Sequence, residues 1–231
     1  MELWPKLGDR VVVKPSNAGS GAGVSVGVDN NDKFKSAWSK AKQAGISRSK
    51  VVVEEEASGV EVRCYVVGGV VVSCVLRMQP YVTGDGKKSI AALVESLVSS
   101  RREDLWYSRW PVTVDEGFLA LSGYSLESVP QSDEVILLNP FHLPQLGGTT
   151  IEISGEINAN VTRLAKEAFD AIPGLEVGAV DILVDDIWSG KSAKVLEINT
   201  APSIVYHLYP LYGAPVMVHR EVSNYFLNLV A

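Results

Sequence analysis

The chain has 231 residues, enough for one large domain or two small ones and for a core that needs no disulfide staples. Lys and Arg number 21 against 27 Asp and Glu, a net charge of −6, and 46% of residues are hydrophobic. That balance excludes disorder, collagen and coiled coil, and the acidity argues against a general nucleic-acid binder.

Residues 10–14 (RVVVK) form a β-branched run, residues 16–23 a small-residue loop, and residues 24–28 a second alternating strand. Capping residues at 29–32 introduce a helix whose Phe34, Ala37, Trp38 and Ala41 recur at helical spacing until Gly45. Residues 51–56 predict a strand. Residues 61–67 and 70–78 predict a hairpin turned at Gly68-Gly69. Gly84-Asp85-Gly86 is a turn, and Ser89 caps a helix carrying Ile90, Leu93, Val94 and Leu97. Residues 101–133 carry no clear period. Beyond them come a short strand at 134–138 and a glycine pair at Gly147-Gly148. Ser154 is placed to cap an amphipathic helix with Ile157, Val161, Leu164, Ala165, Ala168 and Phe169. Strands at 176–184 and 193–198 and a last helix opened by Pro215 complete the chain. Strands and helices alternate irregularly, which predicts an α+β fold with antiparallel sheets.

The run 64–76 is uncharged but holds Gly68, Gly69 and Ser73, and is too short to span a bilayer. The first residues show no basic n-region and no apolar h-region, so a signal peptide is not expected. The two cysteines, Cys64 and Cys74, flank the Gly68-Gly69 turn. A two-residue turn pairs Cys64 with Ser73 and Arg63 with Cys74, so the thiols point to opposite faces. Two free thiols and a reducing, cytoplasmic location are the expectation, with no membrane association. Common motifs fail: Val24 and Val26 stand where a dinucleotide fingerprint needs glycine, Asp185 breaks a Walker-like ending at Lys191-Ser192, and the three histidines lack metal spacing.

Three features combine instead. Lys14 ends a strand before a nearly side-chain-free loop, whose backbone N–H groups could lie over a polyphosphate; a surface lysine beside a flexible hairpin tip has the same pattern. Residues 51–56 form a strand ending in acids, Glu54 among them, that could serve an adenine, and Glu61 farther on could bind a ribose, although acids on a solvated edge look alike. Glu197 and Asn199 lie i and i+2 on one strand, and Asp181 lies in the neighbouring apolar strand GAVDILV, where a lone carboxylate is costly. Two carboxylates and an amide oxygen suit Mg²⁺ or Mn²⁺, and a satisfied buried acid at a strand end is the bland counterpart.

The strings VVVKPSNAGSGAGV, RMQPYVTGDGKKSIAALVE, LGGTTIEIS, VGAVDILVDD and EINTAPSIVYHLYPLYGAP, in this order, resemble the ATP-grasp superfamily, in the subgroup of cyanophycin synthetase and the bifunctional glutathione synthetases. The resemblance implies an ATP-grasp fold of two α+β subdomains, a small one over residues 1–78 and a larger one over 79–231, with the nucleotide between two sheets. It implies an ATP-dependent carboxylate–amine or carboxylate–thiol ligase working through an acyl phosphate, with ATP, Mg²⁺ or Mn²⁺ and small-molecule substrates. A nucleotide-binding module without ligase activity is the second reading.

Carried over by position, Lys14 contacts ATP phosphates, and Ser20, Gly21, Ala22 and Gly23 form the loop that closes over them. Glu54 and Ala57 hold adenine and Glu61 the ribose. Asp181, Glu197 and Asn199 hold the cations, and Arg63, Arg77 and His207 line the catalytic side. The hairpin register turns Arg77 away from Glu61 and Arg63 unless a bulge intervenes. The family has a further ATP-binding lysine and a domain upstream of the position of Lys14. An N-terminally short form is therefore expected, completed by an N-terminal domain or a homo-oligomer. Ala22, Ser203 and Val205 replace a loop arginine, a glycine and an arginine of the family, so the substrates do not follow from the resemblance.

Overall fold

A computed structural model of the chain describes residues 7–18, 21–46 and 48–230. These fall into two compact units, Met1–Ser58 and Gly59–Ala231. All strand pairings named below are antiparallel, and helices and strands mix without βαβ repetition, as an α+β fold requires.

In the first unit, β1 (Val11–Pro15), β2 (Ser25–Val28) and β3 (Val51–Glu55) make a sheet in the order β2-β1-β3. Alternation decides its faces. Val11 and Val13 are fully buried and pack with Val28 against Ala37 and Ala41 of α1 (Asn31–Ala44). Asn30 caps α1 by accepting from the amides of Asp32 and Lys33. Between β1 and β2, Gly23 has φ +75°, and a Cβ there would come within 2.5 Å of the Ala44 Cβ. Only glycine lets the loop pass this close to the helix.

The second unit is built on five strands in the order β10-β9-β4-β5-β8: β4 (Val60–Val67), β5 (Val70–Met78), β8 (Thr149–Glu152), β9 (Val177–Val184) and β10 (Lys194–Asn199). A two-stranded sheet joins β6 (Tyr81–Thr83) to β7 (Val135–Leu137). The helices are α2 (Ile90–Arg101), α3 (Glu116–Leu121), α4 (Ala159–Asp170), α5 (Val205–Leu208) and α6 (Val218–Val230). Val62, Cys64 and Val66, Cys74 and Leu76, and Val180, Ile182 and Val184 line one face and bury Val161, Ala165 and Phe169 of α4. Burying one such large side chain contributes about 1.5–3 kcal/mol.

The expected boundary after residue 78 is corrected to Ser58/Gly59. The β4–β5 hairpin belongs to the larger unit because β4 pairs along its whole length with β9. Ser154 does not cap α4; Asn158 does, and the Ser154 hydroxyl accepts from the Cys74 amide. The unpatterned stretch after residue 101 holds α3, whose six residues are too few to show a helical period.

Candidate functional site

Two bulges determine what shares the other face of the five-stranded sheet. The Gly68-Gly69 turn, both residues at positive φ, pairs Val67 with Val70 and Val66 with Val71 in the predicted register. One extra residue, Val72, then shifts the pairing, so Tyr65 meets Ser73, Cys64 meets Cys74 and Glu61 meets Arg77. The expectation of thiols on opposite faces is therefore wrong: the two Sγ atoms are 3.4 Å apart inside the core. Arg77 joins the face of Glu61 and Arg63. The second shift, at Leu196, moves Glu197 opposite Asp181 instead of opposite Val180. Without it the two carboxylates would lie on opposite faces.

The assembled face carries a lattice of charges. Arg63 sits opposite Asp181 and holds it with two hydrogen bonds, Nε to Oδ1 at 2.7 Å and Nη2 to Oδ2 at 2.6 Å. Arg77 pairs with Glu61 through Nη1, which also lies 3.6 Å from Asp181 Oδ2. His142 Nε2 lies 2.9 Å from the second Glu61 oxygen. The Asn199 amide donates to Asp181 and to Glu197, 3.1 Å in each case. The Tyr206 ring lies 5.5 Å from the Arg63 guanidinium and 5.4 Å from that of Arg77. Glu61, Arg63, Arg77 and Asp181 are all buried, and their two positive and two negative charges cancel, which makes their burial tolerable.

Burial pushes the Glu61 carboxyl upward, but the His142 hydrogen bond and the charges of His142, Arg77 and Arg63 outweigh it and hold the group below its ordinary range. Arg63 is held above its ordinary value: burial opposes the charge, and Asp181 and Glu61 more than restore it. His207 is fully buried, bonded from Nδ1 to the Ser73 hydroxyl at 2.7 Å, with the Tyr65 ring edge-on beside it. Burial first, then the charges of Arg63 and Arg77, push it down to about 3. It is therefore a neutral imidazole beside the lattice at ordinary pH.

The larger unit thus brings together Glu61, Arg63, Arg77, Asp181, Glu197 and Asn199, with His207 against Tyr65 and Ser73 on the same face. In the first unit, Lys14 Nζ lies 2.5 Å from Glu54 Oε1, both partly exposed. Gly21 and Ala22 are exposed, Gly23 is buried, and Ala57 follows β3 half-buried. Ser20 lies outside the described residues. Sequence reasoning missed His142, set aside for lacking metal spacing, and Tyr206, one position from a residue it singled out. A histidine just before a Gly-Gly turn and a tyrosine inside a site string were the available signals.

Among the described residues no group of three or more His, Cys, Asp or Glu stands ready as a metal cage. The donor set nonetheless fits a hard divalent cation: Asp181, Glu197 and Asn199 offer oxygens from adjacent strands, and an electropositive amide already bridges the two carboxylates. Glu197 is the exposed member, while both Asp181 oxygens carry Arg63.

A family model described as D-ala D-ala ligase C-terminus matches residues 2–83. Cyanophycin synthetase of Trichormus variabilis is 27% identical over 222 residues, covering 93% of this chain and 24% of that protein. The glutathione biosynthesis bifunctional protein GshAB of Clostridium perfringens is 27% identical over 235 residues, covering 96% of this chain and 29% of that protein. The crystal structure of a bifunctional glutathione synthetase from Pasteurella multocida superposes with a TM-score of 0.65 at 26% identity, covering 96% of this chain and 32% of that one. The chain spans less than a third of the length of each.

Proposed function

We propose, from the premise that this chain belongs to the ATP-grasp superfamily, that it is an ATP-dependent ligase domain joining a carboxylate to an amine or thiol. A carboxylate oxygen attacks the γ-phosphorus of ATP and ADP leaves. The nucleophile then attacks the acyl carbon, phosphate leaves, and the nucleophile's proton is lost to solvent. The observation that carries this reading is the meeting of Asp181, Glu197 and Asn199 on one strand pair, beside two arginines.

Lys14 and the backbone of Gly21, Ala22 and Gly23 bind phosphates, and Glu54, Ala57 and Glu61 the nucleoside. Asp181, Glu197 and Asn199 would hold Mg²⁺ or Mn²⁺, which when bound supplies charge neutralisation for phosphoryl transfer. Arg63 and Arg77 fix the carboxylates and keep the local charge near neutral, and His207 supports Ser73 beside them. The test is ADP release with Mg²⁺ and a panel of amino-acid carboxylates and amines, assayed on this chain and on any longer polypeptide carrying it. Release dependent on one carboxylate–amine pair is expected; none with any pair removes the ligase reading.

The coverage of the relatives favours a second reading, a nucleotide-binding module that needs another segment for turnover. It predicts thermal stabilisation by ATP and Mg²⁺ with no ADP formed by this chain alone.

A further inference from the structure

Arg101, at the end of α2, is 4% exposed. Its Nη1 donates to the Gly147 carbonyl at 2.7 Å and its Nη2 to Thr149 Oγ1 at 2.8 Å, both neutral acceptors. Its Nε has no partner, and among the described residues no carboxylate forms an ion pair with it. Asp104 is the acid that feels its charge, and Asp104 Oδ1 already accepts from the amides of Trp106 and Tyr107. A buried guanidinium without a counter-ion is costly.

Arg101 lines a cavity together with Arg102, Tyr107, Ser108, Trp110 and Val98. Among the described residues no acid lines it. Arg102 is exposed, and the buried Trp110 Nε1 also lacks a partner. Two cationic side chains, a serine and two aromatic rings therefore line one space without a counter-charge among the described residues, the Tyr107 hydroxyl being bonded to Thr150. The Tyr107 ring already lies 5.2 Å from the Arg101 guanidinium, so the aromatic and cationic walls are one surface.

We propose that this cavity is a binding site for a small carboxylate with a flat apolar body, lined by residues other than Asp181, Glu197 and Asn199. The ligand's carboxylate supplies the counter-charge to Arg101 and Arg102, and its body lies against Tyr107 and Trp110. A neutral ligand of the same shape lacks the charge that the site is short of.

The probe is sodium phenylacetate, with phenylacetamide as the uncharged isostere and sodium chloride at matched ionic strength. The readout is the Trp110 indole N–H resonance in a ¹⁵N-labelled sample, assigned by its loss in Trp110→Phe. Phenylacetate is expected to move that signal saturably, while phenylacetamide and chloride leave it in place. Arg102→Gln, a surface change, is expected to weaken binding about threefold, and Arg101→Gln about tenfold or more. Should Arg101→Gln unfold, the isostere and the Arg102→Gln comparison still decide. A signal that stays still with phenylacetate, moves equally with phenylacetamide, or is unaffected by Arg102→Gln overturns the proposal.

Discussion

Two acid–base pairs in this molecule share their chemistry and differ in solvation. Lys14–Glu54 in the first unit has side chains 28% and 38% exposed; Arg63–Asp181 in the second has 9% and 3%. A partly exposed pair is worth about 0–1 kcal/mol, so Lys14 can exchange Glu54 for a phosphate at little cost. A buried bidentate pair cannot be opened on one side without leaving an uncompensated charge, which costs about 3–5 kcal/mol. The first pair is suited to changing partners and the second to holding a fixed template.

Asp181→Leu breaks the comparison most sharply. It strands Arg63 and leaves Arg77 with Glu61 alone, and a loss of about 3–5 kcal/mol in urea denaturation is expected. Arg63→Met combined with it should recover much of the loss; a double variant as weak as the sum of the singles would show that the pair is not the unit.

Acid tests the same face. His207 falls to about 3 in the folded chain, against an ordinary 6.5. Above pH 6.5 both states are neutral and the contribution is complete. As pH falls from 6.5 towards 3, only the unfolded chain takes up the proton, and stability declines by about 1.4 kcal/mol per pH unit. Glu61, held low, loses its contribution only further down, below its ordinary 4.5. His207→Asn should flatten the stability profile between pH 6 and 5; an unchanged slope would assign it to other groups.

A smaller effect is expected at the Gly-Gly turn. A Cβ on Gly148 would stand 2.1 Å from the His142 carbonyl oxygen. Gly148→Ala must push His142 away from Glu61, with a loss of about 1–3 kcal/mol in thermal unfolding. An alanine variant as stable as the parent would mean that this backbone yields freely.

Lys14→Met should change stability least, by less than about 1 kcal/mol, yet remove the ATP-dependent shift in Tm. If the shift survives in the variant, phosphate contact by Lys14 is lost from the proposed function.

Much of the fold was legible in the chain. β-Branched and apolar runs gave β1, β4, β5 and β9, the glycine pair gave the hairpin turn, and Asn30 and Ser89 gave helix starts. The site was legible as residue types and as the shared face of Glu197 and Asn199. His142, Tyr206 and Arg101 were not, because each acts through a partner at least 46 residues away that no local pattern names.

The sequence by itself determined which residues alternate along each strand, because side-chain parity follows from the two-residue repeat of extended backbone. Only the tertiary structure decided which face of one strand meets which face of the next. One extra residue at Val72 and another at Leu196 reverse that parity across the sheet. The reversal puts Arg77 beside Glu61 and Glu197 across from Asp181, and it seats both thiols in the core. A bulge is fixed by the pairing of two strands, so neither strand read alone contains it.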